Sequence, residues 1–263
     1  MNPEEIKQHR VSLIVSTYNR PDALRVCLDS VKHQTILPYE VIIGDDGSRS
    51  ETADTIKEIS RNFPVPIKHV WHEDNGFRHA MMRNKSVAAS SGDYIIEVDG
   101  DVFLHPKFIE DHLREAAPGI YVKGGRTNLG KELTEEICRQ GVSRRISWLT
   151  KGIESKPENA LHLKTLAHYL APRYRKHHSS ALGFKINGYD EFFEGWGGED
   201  VDFGVRMQKM GFGKRYLKFA GIVYHLWHED KFMYNREKNF AYSSCLDDDK
   251  PARCANGVDK YLK

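Results

Sequence analysis

This 263-residue chain has no apolar run long enough to cross a bilayer, and residues 1–10 are polar, without the apolar core of a secretory leader. Any contact with a membrane is therefore expected from its surface. Cysteine is scarce: Cys27, Cys138, Cys245 and Cys254 include no Cys-x-x-Cys pair, and their spacing gives no positive reason to join Cys245 to Cys254. Free thiols in a reducing, cytoplasmic setting are the expectation. The formal net charge is only +2, so the chain lacks the strong positive charge of a nucleic-acid binder. Internal repeats and low-complexity tracts are absent. So is a glycine-rich phosphate loop after the first strand-like run, where the chain reads Ser16-Thr17-Tyr18-Asn19-Arg20.

Apolar residues make up 40% and charged residues 29%, ordinary proportions for a globular chain with room for a sizeable core. Strand-like and helix-like stretches alternate. Runs at 11–15, 40–44 and 67–71 and the run from Tyr94 read as strands. Between them, Leu24, Cys27, Leu28 and Val31 mark one apolar helical face. Ala53, Ile56, Ile59 and Phe63 mark a second. A third helix, 77–90, is read with Ala80, Met81, Val87 and Ala88 inward, and a fourth follows Pro106. Alternation of this kind predicts an α/β fold: a mostly parallel sheet with helices on both faces. Ligands of such sheets bind beyond the carboxyl ends of the strands. Residues 17–20, 45–48 and 99–101 should therefore share one rim. Later, 180–184 reads as a strand, a helix should end near Gly211, and 214–224 should hold one or two strands.

The strand from Tyr94 ends in Asp99-Gly100-Asp101. Residues two apart in extended chain face the same way, and glycine leaves the turn unobstructed. Two carboxylates so placed repel unless a cation lies between them, and hard oxygen ligands suit Mg²⁺ or Mn²⁺ shared with phosphate oxygens. A plain polar turn is the bland alternative. Among the 13 histidines, His225 follows a strand-like run and can complete such a site; His228 is the alternative ligand, and a rim histidine holding no metal is the bland reading.

Residues 11–20, Asp45-Asp46-Gly47-Ser48 and Asp99-Gly100-Asp101 resemble the nucleotide-sugar half of family 2 glycosyltransferases with the GT-A fold. Glu194-Gly195-Trp196-Gly197-Gly198-Glu199-Asp200 resembles the acceptor-side motif of β-1,4-galactosyltransferases and bacterial chondroitin-type polymerases. The resemblance covers residues 11 to about 230. It implies one GT-A domain over 1–263, with a nucleotide-sugar half at 11–125, an insertion or lid at 126–178, an acceptor half at 179–230 and a surface tail at 231–263. It also implies inverting, metal-dependent transfer of a hexose, Gal or GalNAc favoured, from a UDP-sugar to a glycan or lipid-linked glycan, as in bacterial surface polysaccharide synthesis.

Residue by residue, the resemblance assigns Asp46 to the uracil and Thr17, Tyr18, Asn19 and Arg20 to the nucleoside loop. Arg83, Asp99 and Gly100 face the donor, and Asp99, Asp101 and His225 hold Mn²⁺ or Mg²⁺. Trp196, Gly197, Gly198 and Glu199 bind the acceptor, and Asp200 is the general base. The residues are compatible with these roles. A carboxylate accepts the imide N–H of uracil, Arg grips phosphate, an aromatic face suits a sugar, and acids accept sugar hydroxyls. The bland readings are a turn for Asp45 and Asp46, a solvated helix face for Arg83, and helix capping for Glu199 and Asp200. Asp202 is read as structural. A binding protein on a decayed transferase fold, a sugar nucleotidyltransferase and an aspartate-nucleophile phosphatase are the rivals. Arg139, Arg144, Arg145 and Lys151 could meet anionic lipid or form a solvated surface.

Overall fold

The computed structural model describes residues 9–171, 186–229, 234–244 and 251–262. Its first half alternates as expected: β1 (Val11–Thr17), α1 (Pro21–Lys32), β2 (Glu40–Asp45), α2 (Ser50–Ser60), β3 (Ile67–Trp71), α3 (His79–Ala88), β4 (Tyr94–Asp99). The four strands form one parallel sheet in the order β3-β2-β1-β4. β1 and β2 are central and buried along their whole length, which is why they read as continuous apolar runs. Leu13, Val15, Val41 and Ile43 pack with Leu24, Cys27 and Leu28 of α1 in one core cluster. Each such buried aliphatic contributes about 1.5–3 kcal/mol.

Strand order reverses beside β1: the chain steps outward through β2 and β3, then returns to place β4 on the other side. In open α/β sheets a crevice forms at this reversal. Register sets what borders it, with Ser16 beside Asp99 and Thr17 beside Asp45. The polar strand ends do share one rim.

A second sheet joins at that rim. After β4 come β5 (Val102–Leu104), α4 (Phe108–Glu115), β6 (Ile120–Lys123), β7 (Gly125–Leu129), α5 (Lys131–Gln140), β8 (Ile153–Ser155) and α6 (Lys164–Leu170). α7 (Glu199–Lys209), β9 (Gly213–Tyr216), β10 (Ile222–His225) and α8 (Arg236–Ser244) follow. The sheet runs β5-β10-β7-β8, while β6 and β9 pair separately. Residues 126–171, read above as part of an insertion or lid, supply β7 and β8 and place Leu129, Leu133, Ile137 and Ile146 in a core with Phe103, Ile222 and Tyr224. They are packed structure rather than a free flap.

Two further expectations change. α3 buries Ala80, Met82, Asn84 and Ser86, and leaves Met81, Val87 and Ala88 half-buried. The helix is covered on a second side: Asn84 donates to the Tyr189 carbonyl (2.8 Å) and to Glu191 Oε1 (2.9 Å), and accepts from Tyr189 N (2.8 Å). The tail does more than coat the surface, because Asn239, Cys254 and Val258 are buried. The strand expected at 180–184 and Cys245 lie outside the described residues.

Candidate active site

The base of the crevice is Asp46, at the end of β2. Its Oδ1 is 2.7 Å from His72 Nε2, and its Oδ2 accepts the Arg78 backbone N–H at 2.9 Å. Lys85 Nζ lies 3.0 Å from His72 Nδ1. A lysine ammonium only donates, so the ring proton belongs on Nε2, facing Asp46. Asp46 borders a cleft with Tyr18, Gly76, Phe77 and Tyr234, whose three aromatic rings offer faces for a flat base. Tyr18 also donates to Asp74 Oδ2 at 2.9 Å. Asp45 points elsewhere, bonding Ser48 N (2.8 Å) and His69 Nε2 (2.9 Å), as a turn-shaping acid does. Asn19 is also structural in its contacts: at φ 49° its Oδ1 accepts from Arg49 N and its own N–H donates to Ser48 Oγ, tying the two loops together.

Gly100 serves by close approach. Its N–H bonds the Ser16 carbonyl at 2.6 Å, and a Cβ there would lie 2.8 Å from that oxygen and 3.2 Å from Thr17 Cβ. The contact turns the chain from β4 into β5 against β1. Because β5 pairs antiparallel with β10 in a register that sets Val102 against His225, Asp101 arrives beside the end of β10. Asp101 Oδ2 lies 3.2 Å from His228 Nε2 and 3.7 Å from His225 Nε2. Ligand atoms of Asp101, His225 and His228 all fall within 4.8 Å of one another. Both histidines therefore reach the acid, where the sequence pointed to one or the other. Burial opposes ionisation of Asp101, but the His228 hydrogen bond and the two imidazoles draw its pKa down. The Asp101 hydrogen bond raises His228, while burial lowers His225.

Asp99 is not in that trio. Its Oδ1 is 3.4 Å from Arg83 Nη2 and 3.9 Å from His79 Nε2. The same two side chains reach Glu199, with Arg83 Nη1 at 3.6 Å and His79 Nδ1 at 3.5 Å from Oε1. His79 and Arg83, one turn apart on α3, thus bridge the β4 acid to the start of α7. Arg83 also sits 5.1 Å over the Tyr189 ring, and Tyr189 donates to Glu97 Oε2 at 2.5 Å. Burial opposes its charge, yet Tyr189, Asp99, Glu97 and Glu199 raise its pKa. Burial likewise works against Glu199, but His79 and Arg83 hold its carboxyl down to about 2.

Gly198 lets α7 begin here. It sits at φ 96°, and a Cβ would meet Phe193 Cε1 at 2.8 Å. Trp196 is 37% exposed, with the Arg236 guanidinium 5.2 Å over its ring and Phe240 6.1 Å away. A Cβ at Gly197 would crowd Phe240 Cε2 at 3.2 Å. Asp200 is exposed, in the field of Lys214. Asp202 is buried and accepts Arg206 Nε at 2.6 Å.

Five buried polar atoms at this rim have no protein partner among the described residues: Thr17 Oγ1, Arg20 Nη1, Arg83 Nε, Glu97 Oε1 and Asp101 Oδ1. Buried groups are rarely left unpaired, so such a set fits a ligand and cation. A second cluster, His105, Asp111 and His162, fits less well. Its two rings stack 10° from parallel at 4.5 Å, His105 Nδ1 accepts Lys107 N, and Asp111 accepts Gly221 N. A cation in the plane of both rings is hard to place there.

Residues 12–165 match the model of glycosyl transferase family 2. The chain belongs to that family. Residues 182–229 match the N-terminal domain of galactosyltransferase. Chondroitin synthase of Escherichia coli is 27% identical across 82% of this chain and 34% of its own length. Hyaluronan synthase of Pasteurella multocida is 26% identical across 82% and 24%. Validoxylamine A glucosyltransferase of Streptomyces hygroscopicus subsp. limoneus is 28% identical across 76% and 48%. The glycosyltransferase chain thus spans 24% to 48% of the length of these relatives. S. aureus TarS 1-349 in complex with UDP-GlcNAc superposes with a TM-score of 0.53 over 85% of this chain and 60% of that one, at 20% identity. The mannosyltransferase PcManGT from Pyrobaculum calidifontis, in complex with GDP-Man and Mn²⁺, gives 0.51 over 85% and 59%, at 15% identity. The fold is GT-A. Family membership leaves the nucleotidyltransferase and phosphatase readings without support.

His72, His79, Glu97 and Tyr189 are the residues that sequence reading missed. His79 had one usable signal, its i, i+4 spacing from Arg83. The others are joined to the site only by tertiary contacts.

Proposed function

We propose that this glycosyltransferase moves a hexose, Gal or GalNAc, from a UDP-sugar to a glycan hydroxyl with inversion, in bacterial surface polysaccharide synthesis. The observation that carries the reading is the shared rim. Asp46 with its aromatic cleft, the Asp101–His225–His228 trio and the Glu199–Asp200 start of α7 all open onto the ends of β1, β2 and β4. The relatives include a chondroitin synthase, a hyaluronan synthase and a glucosyltransferase, which supports glycan transfer and leaves the sugar as our proposal.

In this reading Asp46 accepts the uracil imide proton while Tyr18 and Phe77 flank the base. Thr17, Asn19 and Arg20 form the nucleoside loop, and Arg83 and Asp99 meet the donor past Gly100. Asp101, His225 and His228 would hold the cation, with Asp99 nearby. One carboxylate and two imidazoles suit Mn²⁺ better than Mg²⁺, which prefers oxygen ligands. A bound divalent cation supplies Lewis-acid neutralisation of the departing diphosphate. Trp196, Gly197 and Gly198 seat the acceptor sugar and Glu199 binds its hydroxyls. Asp200 takes the proton of the attacking hydroxyl, as general base. The geometry supports this division: the Glu199 carboxyl is already engaged by Arg83 and His79, whereas Asp200 is exposed.

The test is a screen of UDP-Gal, UDP-GalNAc, UDP-GlcNAc and UDP-GlcA for UDP release by the purified chain, with Mn²⁺ or with chelator. Mn²⁺-dependent release from UDP-Gal or UDP-GalNAc supports the proposal. Release only from another sugar corrects the donor, and binding without release from any would identify a decayed, carbohydrate-binding member.

A further inference from the structure

The loop between α5 and β8 carries two large apolar side chains in water. Trp148 is 52% exposed and Leu149 is 70% exposed. Single exposed apolar residues are commonplace, but these are adjacent and held out by structure. Ser147 N donates to Thr150 Oγ1 at 2.9 Å and Thr150 N to the Ser147 carbonyl at 2.9 Å, a tight turn with Trp148 and Leu149 at its tip. The base of the loop is fixed: Ile146 is buried with Phe103, Tyr224 and Leu226, its carbonyl accepts Tyr224 Oη at 3.3 Å, and Ser143 donates to Asp29 through both N–H and Oγ.

Cations frame the tip. Residues 139–151 contain Arg139, Arg144, Arg145 and Lys151 and no acid. Arg144 is paired with Glu136 at 3.1 Å; Arg139, Arg145 and Lys151 form no ion pair among the described residues.

From this geometry we infer that the 139–151 segment, the end of α5 and the loop after it, is a membrane-surface anchor whose Trp148–Leu149 tip enters the interface of an anionic bilayer while Arg139, Arg145 and Lys151 meet lipid phosphates. Interfacial binding takes its strength from buried apolar area together with attraction between basic residues and anionic lipid, and tryptophan favours the headgroup level. A second copy of the chain fits worse. A two-fold interface over this tip would bring the same cations of both copies together. The anchor is independent of which sugar is transferred, and through Ile146 it packs against Tyr224 of β10, the strand that ends at His225.

The experiment is co-sedimentation of the 263-residue chain with vesicles of phosphatidylcholine alone and of phosphatidylcholine mixed with phosphatidylglycerol. The wild type should pellet with the mixed vesicles, not with the neutral ones, and should be released by salt. Trp148→Ala/Leu149→Ala should lose roughly tenfold or more in vesicle affinity. Each of Arg139→Ala, Arg145→Ala and Lys151→Ala should cost about fivefold. Unchanged melting temperatures would show that these exposed variants fold. Failure of the wild type to bind mixed vesicles, equal binding to neutral ones, or variants that bind like the wild type would overturn the inference. So would a concentration-dependent dimer abolished by the tip variant, which would assign the face to a second copy.

Discussion

Asp46 is aimed as well as placed: His72 and the Arg78 N–H hold one oxygen each, and Lys85 fixes the proton on the far side of the His72 ring. If the carboxylate reads uracil, Asp46→Ala should weaken UDP binding by about 1.5–3 kcal/mol in calorimetry. His72→Ala should cost less, about 1 kcal/mol, because the carboxylate remains and only its orientation loosens. Unchanged UDP affinity in both variants would remove the nucleoside role from this acid. The start of α7 makes a second residue-scale test. Asp200→Asn should keep UDP affinity and lose transfer by roughly 10²–10⁴-fold. Glu199→Gln should raise the acceptor KM more than it lowers kcat; the opposite pattern would move the base to Glu199. Glu199 has a pH signature too. Its carboxyl is depressed from 4.5 to about 2, so its stabilisation is complete above the higher value and is lost as pH falls toward the lower one. Denaturation of Glu199→Gln should show a flatter decline across that window than the wild type. The rim placement of Asp46, Asp99 and Asp101 was legible in the sequence because they follow the strand-like runs of β2 and β4. His72 and His79 were not, since neither lies in a motif and each acquires its role from a partner on another element.

Elements repeat the pattern. β1 to β4 and their helices were readable because the sheet interior demands apolar runs and the helices an apolar stripe. In the second sheet β10 falls where 214–224 was expected to hold a strand, but β7 and β8 were not readable, because they are five and three residues long and carry residues such as Arg126, Asn128 and Glu154. α3 was readable as a helix but not in its facing: Asn84 is buried under the 187–191 segment, and Ser86 is buried against Gly44 of β2, which leaves it the room. On α7, Asp202 was read as structural, but its buried partner Arg206 was not foreseen. Arg206 also donates to the carbonyls of Ile186 and Gly188, tying α7 to the segment that covers α3. Asp202→Ala leaves that guanidinium buried without its acid and should cost about 3–5 kcal/mol in urea denaturation. A loss under 1 kcal/mol would mean that the pair does not anchor α7.

Across the whole molecule, two sheets meet at Gly100, and that junction assembles the site. The parallel sheet supplies Asp46 and Asp99, the second sheet His225, and α3 spans the crevice to α7 through His79 and Arg83. Asp101 is the residue at which the sheets and the proposed cation coincide. The most direct measurement is therefore a Mn²⁺ titration of UDP release from the preferred UDP-sugar by the wild type and by Asp101→Ala, with circular dichroism as the control for folding. The account predicts saturable Mn²⁺ dependence in the wild type, abolished by chelator, and no turnover at any Mn²⁺ concentration in a folded Asp101→Ala. Full turnover by Asp101→Ala in the presence of chelator would contradict it.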